Sequence, residues 1–202
     1  ERGLYALYAL LSAMSVKTTE REQASPTLIQ GQRYLSIVAP VPAPLCHRIY
    51  RWQVEHQAPN PREKCHITVF IVKDEAQDET LGRLVAELKN VEPIEIELGE
   101  PSSFWPQTPV AYLRLHRGIS ALQRLHDVVE KILGPSASPF RYVPHLTLAH
   151  QMPQELLADA VESFADIPQA LCNFTVGQVE LHEFDGERWA LVQNIPLGGA
   201  KE

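Results

Sequence analysis

Positive charge is scarce in this chain: 18 Lys and Arg stand against 25 Asp and Glu, a net charge of −7. A surface that tracks a long run of phosphates needs a stripe of basic side chains, so this balance argues against a protein lying along duplex nucleic acid. It leaves room for a local basic pocket holding one phosphate. Cysteine is also sparse. Cys46, Cys65 and Cys172 are odd in number and lack metal-ligand spacing. A disulfide framework is therefore not expected, and a reducing cytosol is the default compartment. Long apolar runs are missing too. The longest, Gly3 to Val16, has about fourteen residues where a membrane span needs roughly twenty. Only Arg2 precedes it, and no small-x-small cleavage site follows. Residues 1–30 are expected to form an N-terminal extension, a short helix and a polar linker, with residues 31–199 a single bilobal domain. No carboxylates cluster with magnesium-like spacing, which agrees with the expectation of no metal and no cofactor.

What the chain does have is a repeated triplet. Cys65-His66-Ile67-Thr68-Val69-Phe70-Ile71-Val72 is a β-branched, apolar run with His66 and Thr68 two residues apart. Strands send alternate side chains to opposite faces, so these two share a face. Val143-Pro144-His145-Leu146-Thr147-Leu148-Ala149 repeats the pattern. Chance placement of eight His and eight Thr gives two or more His-x-Thr triplets in roughly 4% of such chains. Requiring both inside strand-like runs lowers that several-fold, so the pair points to a site where one copy would not.

The surroundings match as well. Tyr34–Ala39 reads as a strand, Pro44–Gln57 as a helix, and the first His-x-Thr strand follows. Asp74–Asn90 is a helix by its Leu81, Leu84, Val85, Leu88 stripe, and Pro93–Leu98 is a half-exposed strand. Gly99–Pro109 reads as a loop. The order then recurs: strand Val110–His116, helix Gly118–Leu133, the second His-x-Thr strand within Phe140–His150, helix Pro153–Ala165 and strand Phe174–Glu183. A last strand, Arg188–Ile195, closes a hairpin at Asp185-Gly186. The two His lie 79 positions apart, about one half-domain. Such a duplication can set both motifs side by side on one cleft.

This arrangement resembles the two-histidine (2H) phosphoesterase superfamily, in particular its bacterial 2′-5′ RNA ligase-like branch. The carriers are His66-Ile-Thr68-Val, Tyr142-Val-Pro-His145-Leu-Thr147-Leu-Ala and the closing Ile195-Pro196-Leu197. The resemblance implies an α+β fold of two pseudo-symmetric lobes, with antiparallel sheets lining a central cleft and helices outside. It implies metal-independent opening of 2′,3′-cyclic phosphates on RNA ends or small nucleotides, with a 2′-phosphate as product. Acting on 2′-5′ linkages, and binding nucleotides without catalysis, are the alternatives. His66, Thr68, His145 and Thr147 match the four catalytic positions. RNA-directed members commonly carry Arg three residues after the second Thr, where this chain has His150.

The residue types suit that chemistry. In-line opening of a cyclic phosphate needs a base for water on one side of phosphorus and an acid for the leaving oxygen on the other. Imidazole titrates near neutrality and serves either role. A Thr hydroxyl can donate to a non-bridging oxygen as charge builds. Arg141, His150 and Tyr142 are candidate substrate contacts. Phe104 and Trp105 could stack on a base or simply pack under their loop. His116, His126 and His182 read as structural or surface residues. Cys65, facing away from His66, reads as a buried thiol.

Overall fold

The computed structural model describes residues 28–29, 31–74 and 78–198. The expected helix and linker of residues 1–30 lie almost wholly outside these. Eight strands and five helices follow one another in the order β1 (Tyr34–Pro40), α1 (Ala43–Glu55), β2 (His66–Lys73), α2 (Asp78–Leu88), β3 (Ile94–Ser103), β4 (Val110–Arg117), α3 (Ile119–Leu133), β5 (Leu146–His150), α4 (Gln154–Ser163), α5 (Gln169–Cys172), β6 (Asn173–Val176), β7 (Gln178–Phe184) and β8 (Trp189–Pro196).

All strands join one antiparallel sheet in the order β6-β3-β4-β5-β2-β1-β7-β8. The sheet is two four-stranded halves joined at a seam, where the only registered pair is Ile67 with Leu146. This is the expected α+β architecture, with one feature the repeat did not reveal. The two repeats exchange their third strands. β3, from the first repeat, pairs with β4 of the second, and β7, from the second, pairs with β1 of the first. Neither half is therefore made by one continuous stretch of chain.

One face of the sheet is apolar and carries the helices. Ile37, Ile67, Leu113 and Leu146 are fully buried there with Leu122, Leu125 and Val129 of α3 and Leu84 and Leu88 of α2. Helix α3 is amphipathic at a period near 3.6, as its Leu122, Leu125, Val129 spacing predicts. It begins after Gly118, which takes φ +94°; a Cβ there would lie 2.8 Å from the Glu95 carbonyl oxygen. Only glycine combines that backbone conformation with so close an approach. The Trp52 indole N–H donates to Asp159 Oδ2 and Ser163 Oγ, both at 3.2 Å, which ties α1 to α4.

Several sequence expectations shift. The second motif strand is shorter than predicted: it starts at Leu146, so His145 stands just before it, because Pro144 offers no N–H to a neighbouring strand. The predicted loop from Gly99 is strand as far as Ser103, carried through register shifts on both sides of Leu98. The predicted strand Phe174–Glu183 breaks at Gly177, where the chain passes from the β3 edge to β1.

The cysteine expectation is corrected. Cys46 and Cys65 form a disulfide across a separation of 19 residues, with their Cα atoms 5.3 Å apart. Cys46 is buried in the first half of α1. Cys65 is brought to it because the Val41 N–H donates to the Cys65 carbonyl at 3.3 Å, extending the β1–β2 ladder past its end. Cys65 is therefore no free thiol, and the ground for a reducing compartment is gone. Cys172 is free and buried. Among the described residues no helix is long and apolar enough to cross a membrane.

Candidate functional site

The seam orders the site. Ile67 and Leu146 both point into the helix-covered core and are fully buried. Side chains alternate along a strand, so His66, Thr68, His145 and Thr147 all point to the opposite, open face. Carried one residue each way, the register sets His66 opposite Thr147 and Thr68 opposite His145. The four side chains thus ring one buried apolar pair.

A second regularity repeats in both motifs. Past each Thr, one residue is skipped in the pairing with the neighbouring strand: Val69 between Thr68 and Phe70, and Leu148 between Thr147 and Ala149. A bulge of this kind reverses the faces beyond it. Strict alternation would put His150 on the core side. The bulge returns it to the face of Thr147, half-buried and in register with Val110. The strand-end His150 is accordingly part of this face.

The two imidazoles are held differently. His145 Nδ1 donates to the Val143 carbonyl at 2.8 Å. That bond fixes the tautomer and leaves Nε2 as the basic nitrogen. The His145 ring meets Phe104 edge-on, centroids 5.1 Å apart, and lies 5.4 Å from Tyr112, while Phe104 and Tyr112 stack at 4.0 Å. Burial lowers the His145 pKa, partly opposed by the Val143 bond. His66 is driven further, from near 6.5 down to about 4, by burial first and then by the charges of Arg62, His182 and His145. His150 is also lowered, by burial and then Arg62. All three rings are neutral at neutral pH.

The remaining candidates divide. Phe104 packs against His145, a role between the two weighed from sequence. Trp105 beside it is 44% exposed. Arg141 is exposed, in the segment leading to His145. Tyr142 does not belong with the open face. Its ring stacks on His126 of α3 at 4.4 Å, and His126 in turn meets Phe70, which faces the helices. Burial raises its phenol well above the ordinary range, and its hydroxyl has no hydrogen-bond partner. It is a packing residue. His182, read from sequence as structural or surface, is paired in register with Ser36 and lies 2.8 Å from Glu180 Oε2. Glu180 is in register with Val38, as Thr68 is, so the pair borders the open face. Arg62 was not singled out by any motif; it stands four residues before His66, and the fold, through Gln53, brings its segment to Leu148 beside His150. Among the described residues the one trio able to hold a metal, His126, Asp127 and Glu130, lies on α3 and away from this face.

A sequence model of the 2′-5′ RNA ligase superfamily matches residues 41–188. The chain belongs to that superfamily. Relatives in sequence include a protein of Geobacillus kaustophilus, named provisionally as a phosphoesterase. It is 27% identical over 130 residues, covering 62% of this chain and 74% of the relative. A similarly named protein of Oceanobacillus iheyensis is 27% identical over 128 residues, covering 61% and 75%. Among solved structures, apo LigT of E. coli aligns with a TM-score of 0.58 at 18% identity, covering 83% of this chain and 98% of LigT. The protein TT0787 of Thermus thermophilus gives 0.58 at 17%, covering 82% and 98%. LigT has also been solved in complex with 3′-AMP. These structures share the fold, and the superfamily match with the provisionally named relatives supports a phosphoester-acting enzyme.

Proposed function

We propose that this superfamily member is a metal-independent phosphodiesterase that opens 2′,3′-cyclic phosphates of RNA ends or small nucleotides to 2′-phosphates. The observation that carries the reading is the seam: one registered pair directs two His and two Thr to the same open face. His66, the more strongly lowered of the two rings, is neutral and suits the base. It takes a proton from water as the water oxygen bonds to phosphorus. His145, oriented through Nδ1, acts from its cationic fraction, which grows as pH falls: its Nε2 proton passes to O3′ as the P–O3′ bond breaks. Thr68 and Thr147 donate to the non-bridging oxygens. Each positioned proton transfer contributes about 10²–10⁴-fold. Imidazole and hydroxyl donors suit proton transfer and phosphate binding without a divalent ion. The net charge of −7 favours a short substrate over long structured RNA. The 3′-AMP complex of LigT supports a nucleotide-sized ligand.

The test is incubation with 2′,3′-cyclic mononucleotides in the presence of a chelator, with products resolved by phosphorus NMR. Chelator-resistant formation of the 2′-phosphate is expected, lost at least about 100-fold in His66→Ala and in His145→Ala. Nucleotide binding without turnover would refute the assignment.

A further inference from the structure

We infer that Arg62 is a substrate-binding residue of this cleft, gripping a phosphate oxygen from the rim beside His66 and His150. The inference rests on the phosphodiesterase reading above and adds a cation on the His66 side, while the exposed Arg141 stands on the His145 side. A cyclic phosphodiester arrives with one negative charge and gathers more as water adds. Neutral imidazoles and hydroxyls bring no fixed positive charge to meet it. An arginine brings a permanent one, with a planar fork that fits two phosphate oxygens.

The placement of Arg62 is built rather than incidental. It lies in the segment between α1 and β2, four residues before His66. Its backbone N–H donates to Gln53 Oε1 at 3.0 Å, and Gln53 Nε2 donates to the Leu148 carbonyl at 2.7 Å. Leu148 is the bulge residue between Thr147 and His150. One side-chain amide from α1 thus staples the Arg62 segment to the strand that carries half the site. Both ends of that amide are used, which fixes its orientation. The Arg62 side chain is exposed, and no carboxylate among the described residues lies within ion-pair distance of it.

The other arginines fit less well. Arg114 donates to Ser102 Oγ at 2.9 Å, which turns its side chain onto β3. Arg33 is held by Asp74 and Glu183. Arg62 is placed toward both His66 and His150 by its chain position before His66 and by the Gln53 link to Leu148, next to His150. His150 is itself neutral above its lowered pKa and supplies no fixed charge at neutral pH.

Inorganic phosphate is the probe. It is titrated into the parent protein, Arg62→Gln and Arg62→Lys, with binding followed by the imidazole NMR signals. Arg62→Gln is expected to weaken phosphate by about tenfold or more, the loss of one charge-assisted contact, and Arg62→Lys to recover part of it. The His66 and His150 pKa values should rise in Arg62→Gln, which a merely structural arginine would not cause. With a 2′,3′-cyclic mononucleotide, KM should rise more than kcat falls. Unchanged phosphate affinity in Arg62→Gln overturns the inference. Weakened phosphate binding in a protein whose parent turns over no cyclic nucleotide would instead sink the phosphodiesterase reading and leave the anion-binding role of Arg62 standing.

Discussion

Replacing His66 by Gln should flatten the acid side of the stability curve. The native ring titrates at about 4, while an unfolded histidine titrates near 6.5. A pKa depressed on folding means that the neutral, buried ring contributes stability that is complete above 6.5 and is lost as pH falls toward 4. At about pH 7.5 neither state binds the proton, and the parent and variant differ only by packing. At about pH 5 the unfolded ring is protonated and the native one is not. At roughly 1.4 kcal/mol for each pH decade between 6.5 and 5, the native state gives up about 2 kcal/mol. Glutamine keeps a polar side chain but has no proton to gain. Urea unfolding at both pH values measures the effect as a difference of differences. With an m-value of about 2 kcal/mol/M, the parent midpoint should fall by roughly 1 M more than that of the variant. Parallel losses in the two proteins would mean that the native ring is solvated. The burial that holds His66 unprotonated down to about pH 4 would then not exist.

The other expectations concern rate, covalent linkage and the staple. With a 2′,3′-cyclic mononucleotide, kcat/KM should peak between about pH 4, where His66 deprotonates, and a point below 6.5, where the depressed His145 loses its proton; a maximum above pH 8 would contradict both assignments. Cys46→Ser should lower unfolding stability by about 3 kcal/mol under oxidising conditions, as a 19-residue cross-link predicts, and by much less once reductant is present; equal stability in the two conditions would mean that the linkage does not form in solution. Gln53→Ala removes two hydrogen bonds from the Arg62 staple and should cost about 1–3 kcal/mol of stability, with phosphate binding weakened in the same direction as in Arg62→Gln; full-strength phosphate binding in that variant would detach the staple from the site.

The legible part of this protein was what one strand can encode. Apolar runs with a His and a Thr two apart specify a buried face and a polar face, and the second copy specified the repeat. Helix α3 was readable from Leu122, Leu125 and Val129 because its period is local. What escaped depended on partners distant in sequence. The bulges at Val69 and Leu148 exist only in the pairing with β1 and β4, so the turn of His150 onto the open face left no mark in its own segment. Arg62 carried no motif, because a glutamine in the preceding helix positions it. The Cys46–Cys65 linkage follows from the β1–β2 ladder and the entry of α1, neither of which a count of three cysteines contains. Tyr142 looked like part of the second motif but packs against a helix once Pro144 has cut the strand short.

The exchange of third strands explains why a duplicated chain gives one site and not two. If each repeat folded on its own strands, each motif strand would be the edge of a separate small sheet. Here β3 and β7 cross over, so each half-sheet is completed by the other repeat and neither half closes without its partner. The remaining free edges of the two motif strands then meet at Ile67 and Leu146. A seam with a single registered pair holds the strands together at one point and lets them diverge on either side. In the proposed reaction the phosphorus centre would sit between the imidazoles, while the buried pair keeps all four polar side chains on one face. A one-residue slip at the seam would bury a His or a Thr and expose Ile67 or Leu146, which the apolar core resists. On the proposed function, the contact that closes the sheet would also set the geometry of the chemistry.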